Sequence, residues 1–205
     1  DRQRITASNG GVIDLSGLEV IRSPRSYKDN VYITVSGDSQ ILLDSLTEIS
    51  GETGGHCGST GFTVSGGAQL PLPSLTTITS GSGNYSDAFW FSASGAGTRI
   101  EVPVLSSLHN AKFSAKSGAV ITGTVPGATY STTGLWHDWD PDGWSGNGNQ
   151  SGTTEYDIVK ADGPDSRVEL PGIATLNARI SSSGNDYDRQ RITASNGGVI
   201  DLSGL

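Results

Sequence analysis

The most constraining feature of this 205-residue chain is that it repeats itself on two scales. The longer repeat is literal. Residues 1–18, DRQRITASNGGVIDLSGL, return without one change at 188–205, an offset of 187 residues. The shorter repeat is degenerate and lies within the 187. Segments beginning at Ile5, Ile33, Phe62, Phe91, Phe113 and Val159 align with one another, and the copy opens a seventh at Ile192. Two residues on from each start come Ala7, Val35, Val64, Ala93, Ala115 and Ala161, with the polar Thr6, Thr34, Thr63, Ser92, Ser114 and Lys160 between. Alternation with period two marks a half-buried strand. A Gly-bearing turn follows, then Ile13, Ile41, Leu70, Ile100, Ile121 and Val168 open a second strand. Further apolar columns run through Leu15, Leu43, Leu72, Val102 and Leu170, then Leu18, Leu46, Leu75, Leu105 and Ile173, then Ile21, Ile49, Ile78, Leu108 and Leu176. The segment from Phe113 is read as losing this second half, because Gly123 and Pro126 stand where Leu is expected.

One such repeat cannot bury its apolar face alone, whereas stacked repeats align each column into a ladder and can. The predicted fold is therefore all-β: a parallel β-solenoid of about six coils, 22–46 residues each, with a long insertion at 130–158. Leucine-rich repeats are the nearest alternative, but their Asn ladder is missing and the β-branched content favours strands on every side. Residues 1–187 are taken as one solenoid unit and 188–205 as the start of the next. We read a tandem array of 187-residue units in preference to a first piece duplicated onto the end, and the chain as a segment of something longer. At ~4.8 Å per strand, six coils rise roughly 29 Å per unit.

Composition excludes several function classes. No apolar run approaches the ~20 residues of a membrane-spanning helix. The formal charge of −8, with no basic block, argues against nucleic acid as a partner. The one Cys makes neither an intrachain disulfide nor a Cys-based zinc site.

The wording of the repeat, x-[IF]-T-V-S-G-x-x-x-L-x-L-P-x-L-x-x-I, resembles bacterial extracellular β-solenoid tandem-repeat proteins of surfaces and fibres. Its L-P-x-L-x-x-I part is similar to the coils of receptor-L-type surface domains. The resemblance implies a repeat architecture outside the cell and is compatible with stalks, adhesins and sugar-binding proteins alike.

The connections at 22–32, 50–61, 79–90, 109–112, 130–158 and 177–191 vary most and are expected along one edge of the solenoid, where repeat proteins often bind. The longest holds three of the four Trp residues and the run Asp138-Trp139-Asp140-Pro141-Asp142-Gly143. Carboxylates at alternate positions before a Gly turn can wrap a hard cation, which makes Asp138, Asp140 and Asp142 candidate calcium ligands. Asn149 stands where an EF-hand would place a bidentate Glu, so the alternative is a polar turn whose Asp side chains cap backbone N–H groups. Trp136, Trp139, Trp144 and Tyr156, with Tyr130, Asn147, Asn149 and Gln150, are candidates for stacking on carbohydrate; the competing reading is a satellite core that folds the insertion back.

Other signals are weaker. His56-Cys57 beside Glu52 reads as a plain loop thiol, since a Cys–His nucleophile needs geometry that adjacent residues do not give. His109 and His137 lie on separate coils and form no ligand set. The outward Thr6 to Ser114 column is ordinary strand polarity, interrupted by Lys160, and not an ice-binding array. Arg99/Glu101 and Arg167/Glu169 read as solvated charges on non-adjacent coils, without the clustered carboxylates of a polysaccharide lyase. Asn84-Tyr85-Ser86 and Asn149-Gln150-Ser151 match the glycosylation sequon. The function expected is a non-enzymatic structural repeat of an extracellular fibre, stalk or cell-surface adhesin, with further copies end to end as partners. The alternatives are a calcium-dependent carbohydrate-binding module using the 130–158 loop, whose partners would be surface glycans, and a polysaccharide-degrading β-helix enzyme. Apart from calcium, no cofactor is expected.

Overall fold

A computed structural model describes residues 2–24, 29–51, 58–80, 88–132, 155–178 and 189–205. Every strand pairing in it is parallel; the first six windings contribute one strand to each of three sides, and the seventh contributes to two. The chain is a parallel β-solenoid, as the columns require. The first side is a seven-stranded sheet built from Arg2–Ala7, Asn30–Ser36, Ser59–Ser65, Ala88–Ser94, Ala111–Lys116, Glu155–Asp162 and Arg189–Ser195, stacked in chain order. These strands define coils 1 to 7. The third side is a six-stranded sheet from Val20–Arg22 in coil 1 to Ile173–Ala178 in coil 6. The second side divides in two. Val12–Asp14 pairs with Gln40–Leu42, and a separate ladder runs from Gln69–Pro71 to Val199–Asp201. Pro71 at the break brings no N–H to a rung.

Register follows the sequence columns, with one-residue bulges at Ala174 and at Ile158. Ile5, Ile33, Phe62, Phe91 and Phe113 face one another across successive strands, then Val159 and Ile192. The three Phe rings stack nearly parallel, with centroids 5.0 and 5.2 Å apart, and all three are fully buried. Each such pair adds ~0.5–1.5 kcal/mol beyond the area it buries. The Val/Ala, Ile/Leu and Leu columns complete one continuous core.

Coil 5 corrects the expectation that its second half is lost. Val125 takes the Leu position at the turn, and Ala128 the next, its N–H donating to Val125 O at 3.1 Å as Leu46 donates to Leu43 O and Leu75 to Leu72 O. Tyr130 then pairs with Leu108 and Leu176 in the Ile column. The extra residues Gly123 and Thr124, both at positive φ, shift the frame. A Cβ on Gly123 would come 2.2 Å from Val102 O, so no other residue fits the close approach there. Tyr130 is thus a core residue and not part of a stacking platform. It lies edge-on to Phe113, and its hydroxyl donates to Ala111 O and to Ile158 O. Burial in this apolar setting pushes the phenol pKa well above its usual range.

Candidate functional site

Three places on the solenoid carry side chains whose arrangement the core does not require: one corner, one outer face, and the seam where the copied segment begins. The corner lies between the third and first sides. At coil 4 it is closed by Asn110 alone, between Ser107–His109 and Ala111–Lys116. Asn110 is fully buried at φ 52°, a conformation Asn tolerates better than most residues. At every other coil, further residues separate the same two strands; the first-side register is unbroken from coil 1 to coil 6, and a one-residue bulge occurs where coil 6 pairs with coil 7. Variation in coil length is therefore concentrated on one edge, as expected. Beside this corner the Nδ1 of His109 lies 2.6 Å from Ser80 Oγ, and desolvation lowers the imidazole pKa. Among the described residues no carboxylate orients that ring, so the pair lacks the third member that a nucleophilic serine uses.

The outer face of the first sheet carries a row of large side chains. The guanidinium of Arg4 sits 5.4 Å from the centroid of Tyr32, and Tyr32 meets Trp90 edge-on at 5.9 Å. The two aromatic rings touch across a coil because Gly61 lies between them: a Cβ there would come 1.5 Å from the indole. Burial raises the Tyr32 pKa, with Arg2 and Arg4 opposing it. In coils 4 and 5 this face departs from simple outward polarity. Ser92 and Ser114, in register with Thr63, are only 6% and 3% exposed, and the neighbouring Trp90 and Lys112 are buried too. The Thr/Ser column is in register, yet it is open to solvent at coil 1 and only partly at coils 2, 3 and 7.

The seam between coils 6 and 7 is the most developed polar site. Residues 189–205 pair with coil 6 on two sides, Val159 with Ile192 and Val168 with Ile200, so the copy takes up the ladder as the next winding. Asp157 is buried on the outer face, where Oδ1 accepts from Arg191 Nε at 3.0 Å and from Thr193 Oγ1 at 2.6 Å. Lys160 Nζ lies 3.9 Å from the other carboxylate oxygen. At the end of the same strand, Asp162 Oδ1 accepts from Ser195 Oγ and Asn196 Nδ2, each at 2.8 Å. Those hydrogen bonds hold the Asp162 carboxyl below its usual pKa. Thr132 Oγ1 donates to the Gln190 side-chain oxygen. These contacts are chemically cohesive: a carboxylate row on coil 6 meets a cation, hydroxyl and amide row on coil 7.

The candidate calcium ligands Asp138, Asp140 and Asp142, the candidate stacking residues Trp136, Trp139 and Trp144, the associated Asn147, Asn149 and Gln150, and His137 all lie outside the described residues. So do Glu52, His56, Cys57 and Asn84. Tyr156 falls within the strand Glu155–Asp162. The described residues that flank 133–154 in the chain are Thr132 on the third side and Glu155 on the first. Among the described residues no three His, Cys, Asp or Glu side chains gather as metal ligands. The Arg99–Glu101 and Arg167–Glu169 pairs, at 2.6 and 2.5 Å, are partly exposed and sit on alternate coils, as read from the sequence. What the sequence did not reveal is the seam. Its Asp157 and Asp162 gain meaning only once the copied segment is stacked beside them.

No family model, no curated protein and no solved structure matches this chain.

Proposed function

We propose that this chain is a non-enzymatic structural segment of an extracellular rod (a fibre, stalk or surface adhesin) in which successive 187-residue units continue one solenoid. The observation that carries this reading is the docking of residues 189–205 on coil 6, in register on two sides and held by Asp157 and Asp162. A unit whose last winding accepts the first winding of the next needs no linker, and its hydrogen-bond ladders and apolar columns carry load through the junction. The formal charge of −8 per chain keeps neighbouring rods apart. Chains of one, two and three tandem units test the reading by small-angle X-ray scattering. The maximum dimension should grow by roughly 29 Å per added unit. A dimension that stays constant, or grows as a string of independently tumbling beads, would reject it.

A second reading has support from the corner, where coil-length variation concentrates: the rod displays the 130–158 insertion as a calcium-dependent carbohydrate-binding loop. Calorimetry with calcium on the parent chain and on D138A/D140A tests it. No heat from the parent chain would sink it.

A further inference from the structure

Two glycines in the copied segment press against the coil beneath. A Cβ on Gly198 would meet Ala161 O at 2.3 Å, and one on Gly204 would meet Pro171 O at 2.2 Å. No side chain fits at either position while the seam is closed. Their counterparts in coil 1 are Gly11 and Gly17. A Cβ on Gly17 would meet nothing within 4 Å, and the nearest atom to one on Gly11 would be Ser8 O of its own turn, at 3.1 Å. Coil 1 therefore carries glycines shaped for a neighbour that it lacks on that side in this chain. The same holds for its polar row. Arg4, Thr6, Ser8 and Asn9 are exposed, while the identical Arg191, Thr193, Ser195 and Asn196 bond Asp157 and Asp162.

A third feature limits what can follow coil 6. At the residue before the second strand, the windings carry Gly11, Ser39, Ala68, Thr98, Ala119, Ser166 and Gly198. Even coils supply a hydroxyl and odd coils do not. Each hydroxyl accepts from an N–H of the odd coil before it: Gly10 to Ser39 at 3.1 Å, Gly67 to Thr98 at 2.9 Å, and Gly118 to Ser166 at 3.0 Å. By that alternation the winding that follows coil 6 is an odd one. With Gly required there by the Ala161 carbonyl, coil 1 is the winding of this chain that qualifies.

We infer that the face of coil 1 turned away from coil 2 and the face of coil 6 are complementary docking surfaces between separate copies of this chain, and that residues 189–205 fill the coil 6 surface in cis. This rests on the stacking reading above and adds a partner in trans, a second copy. The contact is head-to-tail and does not close, so each docked copy presents the same face again.

The test uses the full chain. Gly198→Ala with Gly204→Ala dislodges the cis segment and leaves Gly11 and Gly17 intact, so coil 1 of another copy becomes the better occupant. Sedimentation velocity should show a concentration-dependent rise in weight-average mass of about twofold or more over the parent, because an open interface keeps adding copies. Adding Gly17→Ala, which has room in coil 1 itself, should return the protein to the mass of the parent. R191E with T193V provides a second way to loosen the segment, acting on its side chains and not its backbone, with the same expectation. Circular dichroism confirms that the sheets persist. Folded variants of both kinds that stay monomeric, or oligomers that survive Gly17→Ala, would overturn the inference. Tandem chains that lengthen normally alongside such a result would leave the rod reading standing; tandem chains that do not lengthen would remove the reading beneath it.

Discussion

Residues 2–18 and 189–205 are one sequence in two surroundings. Coil 1 has a neighbour only above it, and coil 7 only below. Their local structure is nevertheless the same. Asn9 and Asn196 are both left-handed, at φ 54° and 51°, and Gly10 and Gly197 follow at 76° and 87°. Asp14 accepts from the N–H of Ser16 at 2.9 Å, and Asp201 from that of Ser203 at 2.9 Å. What differs is decided by the neighbours. The first strand stops at Ala7 in coil 1 but runs to Ser195 in coil 7, where Gly163 N–H donates to Ser195 O. Ala7 is buried, whereas Ala194 is exposed, because coil 1 is closed by its third strand Val20–Arg22 and the seventh winding ends at Leu205 before that side. Turn and strand are thus written locally, while burial is supplied by the stack.

The sharpest way to separate the two surroundings is a charge in the Ala column. Ala7→Asp should cost on the order of 3–5 kcal/mol, the penalty of an uncompensated buried carboxylate. Ala194→Asp should stay within about 0.5 kcal/mol, as exposed substitutions do. Urea unfolding of the two variants side by side reads the difference, and equal costs would erase the distinction. A smaller effect is expected from Asp157→Ala. It should release coil 7 by ~1–3 kcal/mol through its lost charged hydrogen bonds. Hydrogen exchange should then speed up at Val199, which bonds Ser166 O, and not in coil 1. Ser39→Ala acts in the opposite copy. It strips the acceptor from Gly10 N–H, at a cost of about 1 kcal/mol, and should raise exchange there without touching Gly197.

The mildest lever is acid. The Asp162 carboxyl is held below its unfolded value by Ser195 and then Asn196. The folded state therefore binds its proton less readily than the unfolded chain. Its contribution is complete above the unfolded pKa near 4 and fades as pH falls through the folded value. Coil 7 amides should lose protection over that interval; in coil 1 the response should be confined to the turn at Asp14, whose carboxyl Ser16 holds below its usual value. His109 behaves with the same sign at higher pH. Burial lowers its pKa, so stability declines as pH drops below ~6.5 and levels off beneath the folded pKa. His109→Gln should flatten that slope in thermal melts.

Much of this architecture was legible in the residues because a strand that buries one face must alternate, and a stack must repeat. The Ile5–Phe113 and Ala7–Ala161 columns needed no coordinates. Tyr130 was misread because Gly123 and Thr124 lengthen coil 5, which moved the aromatic residue out of the frame in which an Ile was sought. Outward polarity also misled at Ser92 and Ser114: alternation gives the side of the sheet but not whether that side meets water. The seam was less legible still. Nothing in one sequence distinguishes a glycine that bends a turn from one that leaves room for a carbonyl in the next winding. The candidate calcium and carbohydrate residues Trp136 to Trp144 lie outside the described residues, and calorimetry reads their chemistry.

Asn110 has a consequence for how such a chain can change over time. Because one left-handed residue suffices to turn the corner, whatever is longer there is surplus to winding. Segments can be lengthened, shortened or exchanged at that edge while the ladders above and below keep count, much as leaves are replaced in a ring binder. Substitution of a foreign peptide at the corner of coils 1 to 3 would leave the spine unaltered, with each peptide one winding from the next.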